Sequence, residues 1–251
     1  MASLSTVDLA WGAEWGYSTK IDLALQWDEM TNGLFRSWDR GAALDTYSCE
    51  WTWKGPRTKV DSVRTLVHDT AKGGTVDLVC DAGFFPFGPL VPIDAPLPVR
   101  IAAMTPTTRV GASGDWAMSL SMVLDDPPTL DLTDRNIGIL LARGRYAPQV
   151  APGWTVSPRD AGFVSESRNP NAYQSMVSLR CNIADARKIL AGLIHLRGGV
   201  ATAPGSRDPF GPGVPGSNGY GADYGIKVRA FDCRQESLEI WSIEASIARV
   251  P

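Results

Sequence analysis

Histidine is nearly absent from this chain: its 251 residues include only His68 and His195. They stand far apart in sequence, near the ends of two helix-like segments, where an imidazole suits the negative end of a helix dipole better than it suits catalysis. Cysteine is sparse as well. Cys49, Cys80, Cys181 and Cys233 form no C-x-x-C pair, so neither a zinc site nor a sulfur cluster is expected, and buried free thiols are the reading. There is no excess of basic charge. With 24 Lys+Arg against 27 Asp+Glu the formal net charge is -3, and no field exists to hold phosphate backbones or anionic lipid. No run of about 18 apolar residues occurs, which excludes a membrane-spanning helix. The opening stretch MASLSTVDLAWGAEWGYSTK lacks the charged start and apolar run of a signal peptide, so a soluble protein made in a cytoplasm is expected.

Catalytic signatures are missing too. No Walker loop, H-E-x-x-H or EF-hand loop is present. Gly111-Ala112-Ser113-Gly114-Asp115 lacks the spacing of a nucleophile elbow and reads as a hairpin turn. The adjacent acids Asp125 and Asp126 precede Pro127-Pro128 and read as a solvated linker, not as glycosidase carboxylates. No enzyme and no cofactor are expected.

What the chain does have is turn formers: 25 Gly and 18 Pro, with 44% hydrophobic and 20% charged residues, describe a turn-rich, mainly β protein with few long helices. It also has an internal echo. The tetrapeptide PFGP occurs as Pro86-Phe87-Gly88-Pro89 and again as Pro209-Phe210-Gly211-Pro212, 123 positions later. Tyr47 opens YSCEWTW and Tyr173 opens YQSMVSL at an offset of 126; Gly73-Gly74 answers Gly198-Gly199 at 125; Trp116 answers Trp241 at 125. Fixed order at a near-constant offset points to a tandem duplication.

Each copy reads alike. YSCEWTW and YQSMVSLRCNI alternate as half-buried strands do. Val60, Val63, Leu66 and Val67 then fall on one helical face, as do Ala186, Ile189, Leu190, Leu193 and Ile194, with Asn182 placed to cap the second helix. A long Gly/Pro-rich loop carrying PFGP follows. Two strands close each unit: Val99 to Met104 with Trp116 to Leu124, and Gly225 to Phe231 with Ser237 to Val250. The boundary is expected within Asp125 to Asp134, giving segments 1–130 and 131–251, the first with an N-terminal extension.

This order of strand, helix, Gly-Gly, Pro-rich loop and two strands resembles the minor tail protein M family of lambdoid phages, which are distal tail proteins. The likeness is carried by YQSMVSLRCNIADARKILAGLIHLRGG and GIKVRAFDCRQESLEIWSIEASIARV, over about residues 173 to 251, and more weakly by 47 to 124. It implies two tail-tube-like β-sandwich or barrel domains, each with one short flanking helix. It further implies a structural role in the tail tip of a virion assembled in the host cytoplasm. There the chain would form a ring below the tail tube and meet tail tube, hub and tape-measure proteins, with DNA only passing through the lumen. Six such domains normally close the ring. Two per chain imply a trimeric, pseudo-hexameric ring, or a hexamer if one copy decorates the outside.

The candidate contact residues lie in the loops: Phe84, Phe85, Pro86, Phe87, Gly88 and Pro89 in the first, Pro209, Phe210, Gly211 and Pro212 in the second. Three phenylalanines among prolines would leave a large apolar surface on a monomer, so a neighbouring subunit is expected to cover them, unless they plug their own domains. Nine Trp support an alternative, tandem carbohydrate-binding β-sandwich modules, because flat aromatic faces stack on sugar rings.

Overall fold

The structure is a computed structural model and describes residues 2–4, 7–9, 17–29, 35–70, 74–81, 83–105, 108–110, 115–148, 155–158, 164–167, 174–207, 209–210 and 223–249. It is mainly β. The N-terminal 46 residues contribute a hairpin of β1 (Ala2–Leu4) and β2 (Val7–Leu9), a strand β3 (Tyr17–Asp22), and a separate hairpin of β4 (Leu25–Glu29) and β5 (Phe35–Asp39). Next comes β6 (Thr46–Gly55), whose alternation sends Tyr47, Cys49 and Trp51 inward and Glu50 and Thr52 to solvent. Helix α1 (Arg57–Thr70) follows, with Val60 and Val63 buried and Leu66 and Val67 half-buried. The first segment closes with β7 (Val76–Val79), β8 (Leu97–Met104), β9 (Thr108–Val110) and β10 (Asp115–Leu124).

A short helix that periodicity did not reveal, α2 (Gly138–Arg143), opens the second segment. It is followed by β11 (Arg145–Pro148), a hairpin of β12 (Thr155–Pro158) and β13 (Val164–Ser167), β14 (Gln174–Asn182), α3 (Ile183–Leu196), β15 (Val200–Ala203), β16 (Tyr224–Gln235) and β17 (Ile240–Arg249). Asn182 caps α3 as its position suggests: its side-chain oxygen accepts from the Asp185 N–H at 2.8 Å. On α3 the apolar face extends to Leu190, Ala191 and Ile194, whereas α1 at the same turns carries Arg64, Thr65 and His68, exposed. The difference follows from cover: α2 packs on α3, and Ile137 lies against Gly192.

Hydrogen bonding orders the two segments in the same way. Neighbouring strands run β3-β6-β10-β8-β7 in the first and β11-β14-β17-β16-β15 in the second, all antiparallel. Even an irregularity recurs. In β8 the extra residue Ala102 sits between Ala103, opposite Ser121, and Ile101, opposite Met122; in β16 the extra residue Arg229 sits between Ala230, opposite Ser246, and Val228, opposite Ile247. Ser121 and Ser246 are 125 positions apart, the offset of Trp116 and Trp241. A bulge is a specific backbone feature, so its recurrence at one register is stronger than shared composition.

The two segments are not separate sheets. What was expected as two sandwiches or barrels is one hydrogen-bonded series of 13 strands, because β3 pairs with β6 along one edge and with β16 along the other, through Lys20 opposite Asp232 and Thr19 opposite Cys233. The interior is continuous as well: buried residues of 1–130 and 131–251 form one cluster. Among the described residues no helix is long and apolar enough to cross a membrane.

Candidate assembly interface

The first PFGP loop lies in the junction between the segments. Phe84, Phe85, Pro86, Phe87, Gly88 and Pro89 are all buried, with Phe87 fully so. They therefore present no apolar projection to solvent; the expectation of a loop waiting for another subunit is corrected, since the loop is covered by its own chain. Pro209 and Phe210 are buried too, Phe210 edge-on to Tyr224 with ring centroids 5.5 Å apart, while Gly211 and Pro212 lie outside the described residues.

Much of the cover over the first loop comes from the other segment, and β3 adds to it. Gln235, 1% exposed, donates from Nε2 to the Gly83 carbonyl at 2.7 Å and accepts from the Phe85 N–H at 3.4 Å. Arg187 on α3 donates to the Pro89 carbonyl at 3.0 Å and lies 5.4 Å over the Phe85 ring. The Phe85 ring in turn meets Trp241, centroids 6.3 Å apart. Thr19 on β3 donates its hydroxyl to the Pro86 carbonyl at 2.7 Å. Gly88 holds φ at 99°, with Ile21, Cys233 and Thr19 each within ordinary contact of the place a Cβ would take.

Across the junction, at the C-terminal end of α3, lies an ionic knot. Arg197 adopts φ 38° and Gly198 φ 74°, turning the chain sharply out of the helix. The Arg197 guanidinium donates to both oxygens of Asp39, at 2.5 and 2.7 Å, and to both of Asp45, at 2.6 and 3.2 Å. The Asp45 side chain is 2% exposed and accepts one further bond, from the Ala24 N–H at 2.8 Å. Hydrogen bonding to Arg197 draws the Asp39 carboxyl down to about 2. Ser37 donates to the Gly198 carbonyl at 3.1 Å and Lys227 donates to Ser37 at 3.3 Å. β4, β5 and the turn before β6 are thereby tied to the second segment. No local pattern in the sequence marks Arg197, whose partners are 158 and 152 positions away.

The opposite face of the sheet is polar around the same seam. Ser18, Lys20, Ser48, Glu50, Ser121, Asp232, Arg234, Glu236, Ser242 and Glu244 line one open depression of about 550 Å³. Lys20 and Asp22 pair at 3.0 Å, which raises the Lys20 pKa through that hydrogen bond. Burial raises the Asp232 pKa, opposed by Lys20 and reinforced by Asp22.

All four cysteines are buried free thiols; burial pushes Cys80 and Cys233 up to about 12 and Cys181 to about 11, so none is an activated nucleophile. His68 and His195 are exposed on different helices. Asp125 is engaged by Arg100 at 2.5 Å. Trp51 and Trp241 are buried, and Trp116 is half-buried beneath Arg57, 5.4 Å above its ring. Among the described residues no three His, Cys, Asp or Glu side chains group as metal ligands. No protein-family model matches the chain, and no curated protein is significantly similar to it.

Proposed function

We propose that the chain is a structural component of a bacteriophage tail tip, a distal or minor tail protein built from two tandem tail-tube-like units, that forms a ring between the tail tube and the hub or fibres. The observation that carries this reading is the recurrence of one strand order and one bulge register in both segments, joined through a strand that pairs with both. A unit whose leading strand is completed by its neighbour is suited to propagation around an axis, because a heterologous contact repeated at a closing angle makes a ring. Three chains supply six units; six chains serve if one unit stands outside. Tail tube, hub and tape-measure proteins are the partners of such a ring, with DNA crossing only its lumen.

The polar seam supports a lumenal wall. Glu50, Asp232, Glu236 and Glu244 outnumber Lys20 and Arg234 among serines, a negative balance that disfavours gripping a nucleic-acid backbone. Electron microscopy of the purified chain, and of the chain mixed with tail tubes, tests the reading. Annular particles with an open centre, capping one end of the tubes, are expected; compact particles that leave tubes uncapped would reject it.

A further inference from the structure

Within the chain, the first unit covers a defined apolar face of the second. Ile21, Leu23 and Leu25 share a cavity of about 180 Å³ with Leu193, Gly198, Val228, Arg229, Ala230 and Phe231, and Phe85 covers Trp241. Thus Leu193, Val228, Phe231 and Trp241 are at most 5% exposed.

The first unit carries the same face. The helix offset places Val67 at Leu193, the bulge places Ile101 at Val228 and Met104 at Phe231, and the closing strand places Trp116 at Trp241. All four are apolar and all four are half-buried. Val67, Ile101 and the bulged Ala102, together with Gly74, line an open groove of about 530 Å³. One glycine and the bulged residue line each site: Gly74 and Ala102 the groove, Gly198 and Arg229 the cavity.

We infer that this face of the first unit, Val67, Ile101, Met104 and Trp116, is the docking site for a second copy of this chain, whose second unit leads with β11. β11 is equivalent to β3: each is the strand outside β14 or β6, and Tyr146 faces Val177 as Tyr17 faces Trp51. The outer edge of β3 is taken by β16, while β11 ends the strand series with its outer edge unpaired among the described residues. Cation placement agrees, since Arg100 stands where Lys227 stands at the internal junction. The contact is head-to-tail, and copies joined by it alternate internal and external junctions. The inference rests on the repeat reading proposed above and adds the surface that joins the copies.

The test is the double variant Ile101→Lys/Met104→Lys, which places two cations at half-exposed positions. Sedimentation velocity and native mass spectrometry over concentrations up to near-millimolar are expected to show assembly of the wild type, and weakening by about 100-fold or more in the variant, since the charges would be buried unpaired. An unchanged melting temperature at low concentration establishes that the variant is folded. Met104→Phe, which copies Phe231, is expected to tighten assembly. Hydrogen exchange on the wild type reads the same face without substitution: amides of Arg100–Met104 slow on concentration. A wild type that stays monomeric, exchange that does not change, or a double variant that assembles as the wild type does would each overturn the inference. Rings that survive the double substitution would reject this face and leave the tail-tip reading intact. Open chains abolished by it would keep the face and reject the ring.

Discussion

Replacing Arg197 by Met isolates the ionic knot that ties β4, β5 and the turn before β6 to the end of α3. The aliphatic stem is kept and the charge removed. Asp45, 2% exposed, is left among the described residues with the Ala24 N–H alone; Asp39, 41% exposed, returns to solvent. Breaking a fully buried pair costs about 3–5 kcal/mol, but Arg197 is 17% exposed and water reaches the site from the Asp39 side, so about 2–3 kcal/mol is assigned to Asp45. The exposed Asp39 half adds less than about 1 kcal/mol. A total near 3 kcal/mol corresponds to about 6–12 °C in melting temperature for a chain of this size. The assay is thermal and urea unfolding of wild type, Arg197→Met, Asp45→Asn and the double variant. In the double variant the orphaned charge is gone, so about half of the loss is expected to return. A loss below about 1 kcal/mol for Arg197→Met, or a double variant no better than the single one, would refute the claim that Asp45 needs its partner.

Acid lability follows from the same knot. The Asp39 carboxyl sits at about 2 in the folded chain against about 3.9 unfolded, so its stabilisation is present above pH 4 and is lost as pH falls from there toward 2. Urea midpoints should decline less over that range for Asp39→Asn than for wild type; parallel declines would contradict the assignment. Phe87→Ala empties a fully buried position where the loop meets β3 and β16, and about 3–5 kcal/mol should be lost in urea unfolding; a loss under 1 kcal/mol would mean the loop is not core. Gly198→Ala forces a left-handed residue and sets a Cβ 2.8 Å from Ser37 Oγ, and should cost about 1–2 kcal/mol; an unchanged melting temperature would count against that turn. The buried thiols should react with an aromatic disulfide reagent only on unfolding, and rapid labelling of the native chain would show them accessible.

How far the sequence announced this arrangement depends on the range over which each feature is made. Alternation in YSCEWTW and a helical face of Val60 and Val63 are local, and both segments could be laid beside one another from the fixed order of PFGP, the Gly-Gly pairs, and Trp116 with Trp241. β3 was harder to see. In YSTKID Thr19 and Ile21 point inward, and what makes it a strand is an edge offered on each side by residues 46–51 and 232–233. The PFGP loop misled in an instructive way. Its phenylalanines look like a projection because nothing nearby in sequence covers them; Gln235, Arg187 and Trp241 do, from about 100 to 150 positions downstream. Arg197 is an ordinary surface arginine by pattern, and only the fold brings Asp39 and Asp45 to it.

The central claim is that the chain is two copies of one unit, meeting within and between chains by the same contact. Native mass spectrometry of the assembled wild type tests it most directly. The account predicts a closed species at three times the 27.0 kDa chain mass, or at six times if one unit stands outside the ring. A monomer at every concentration, or a two-fold dimer that goes no further, would contradict it.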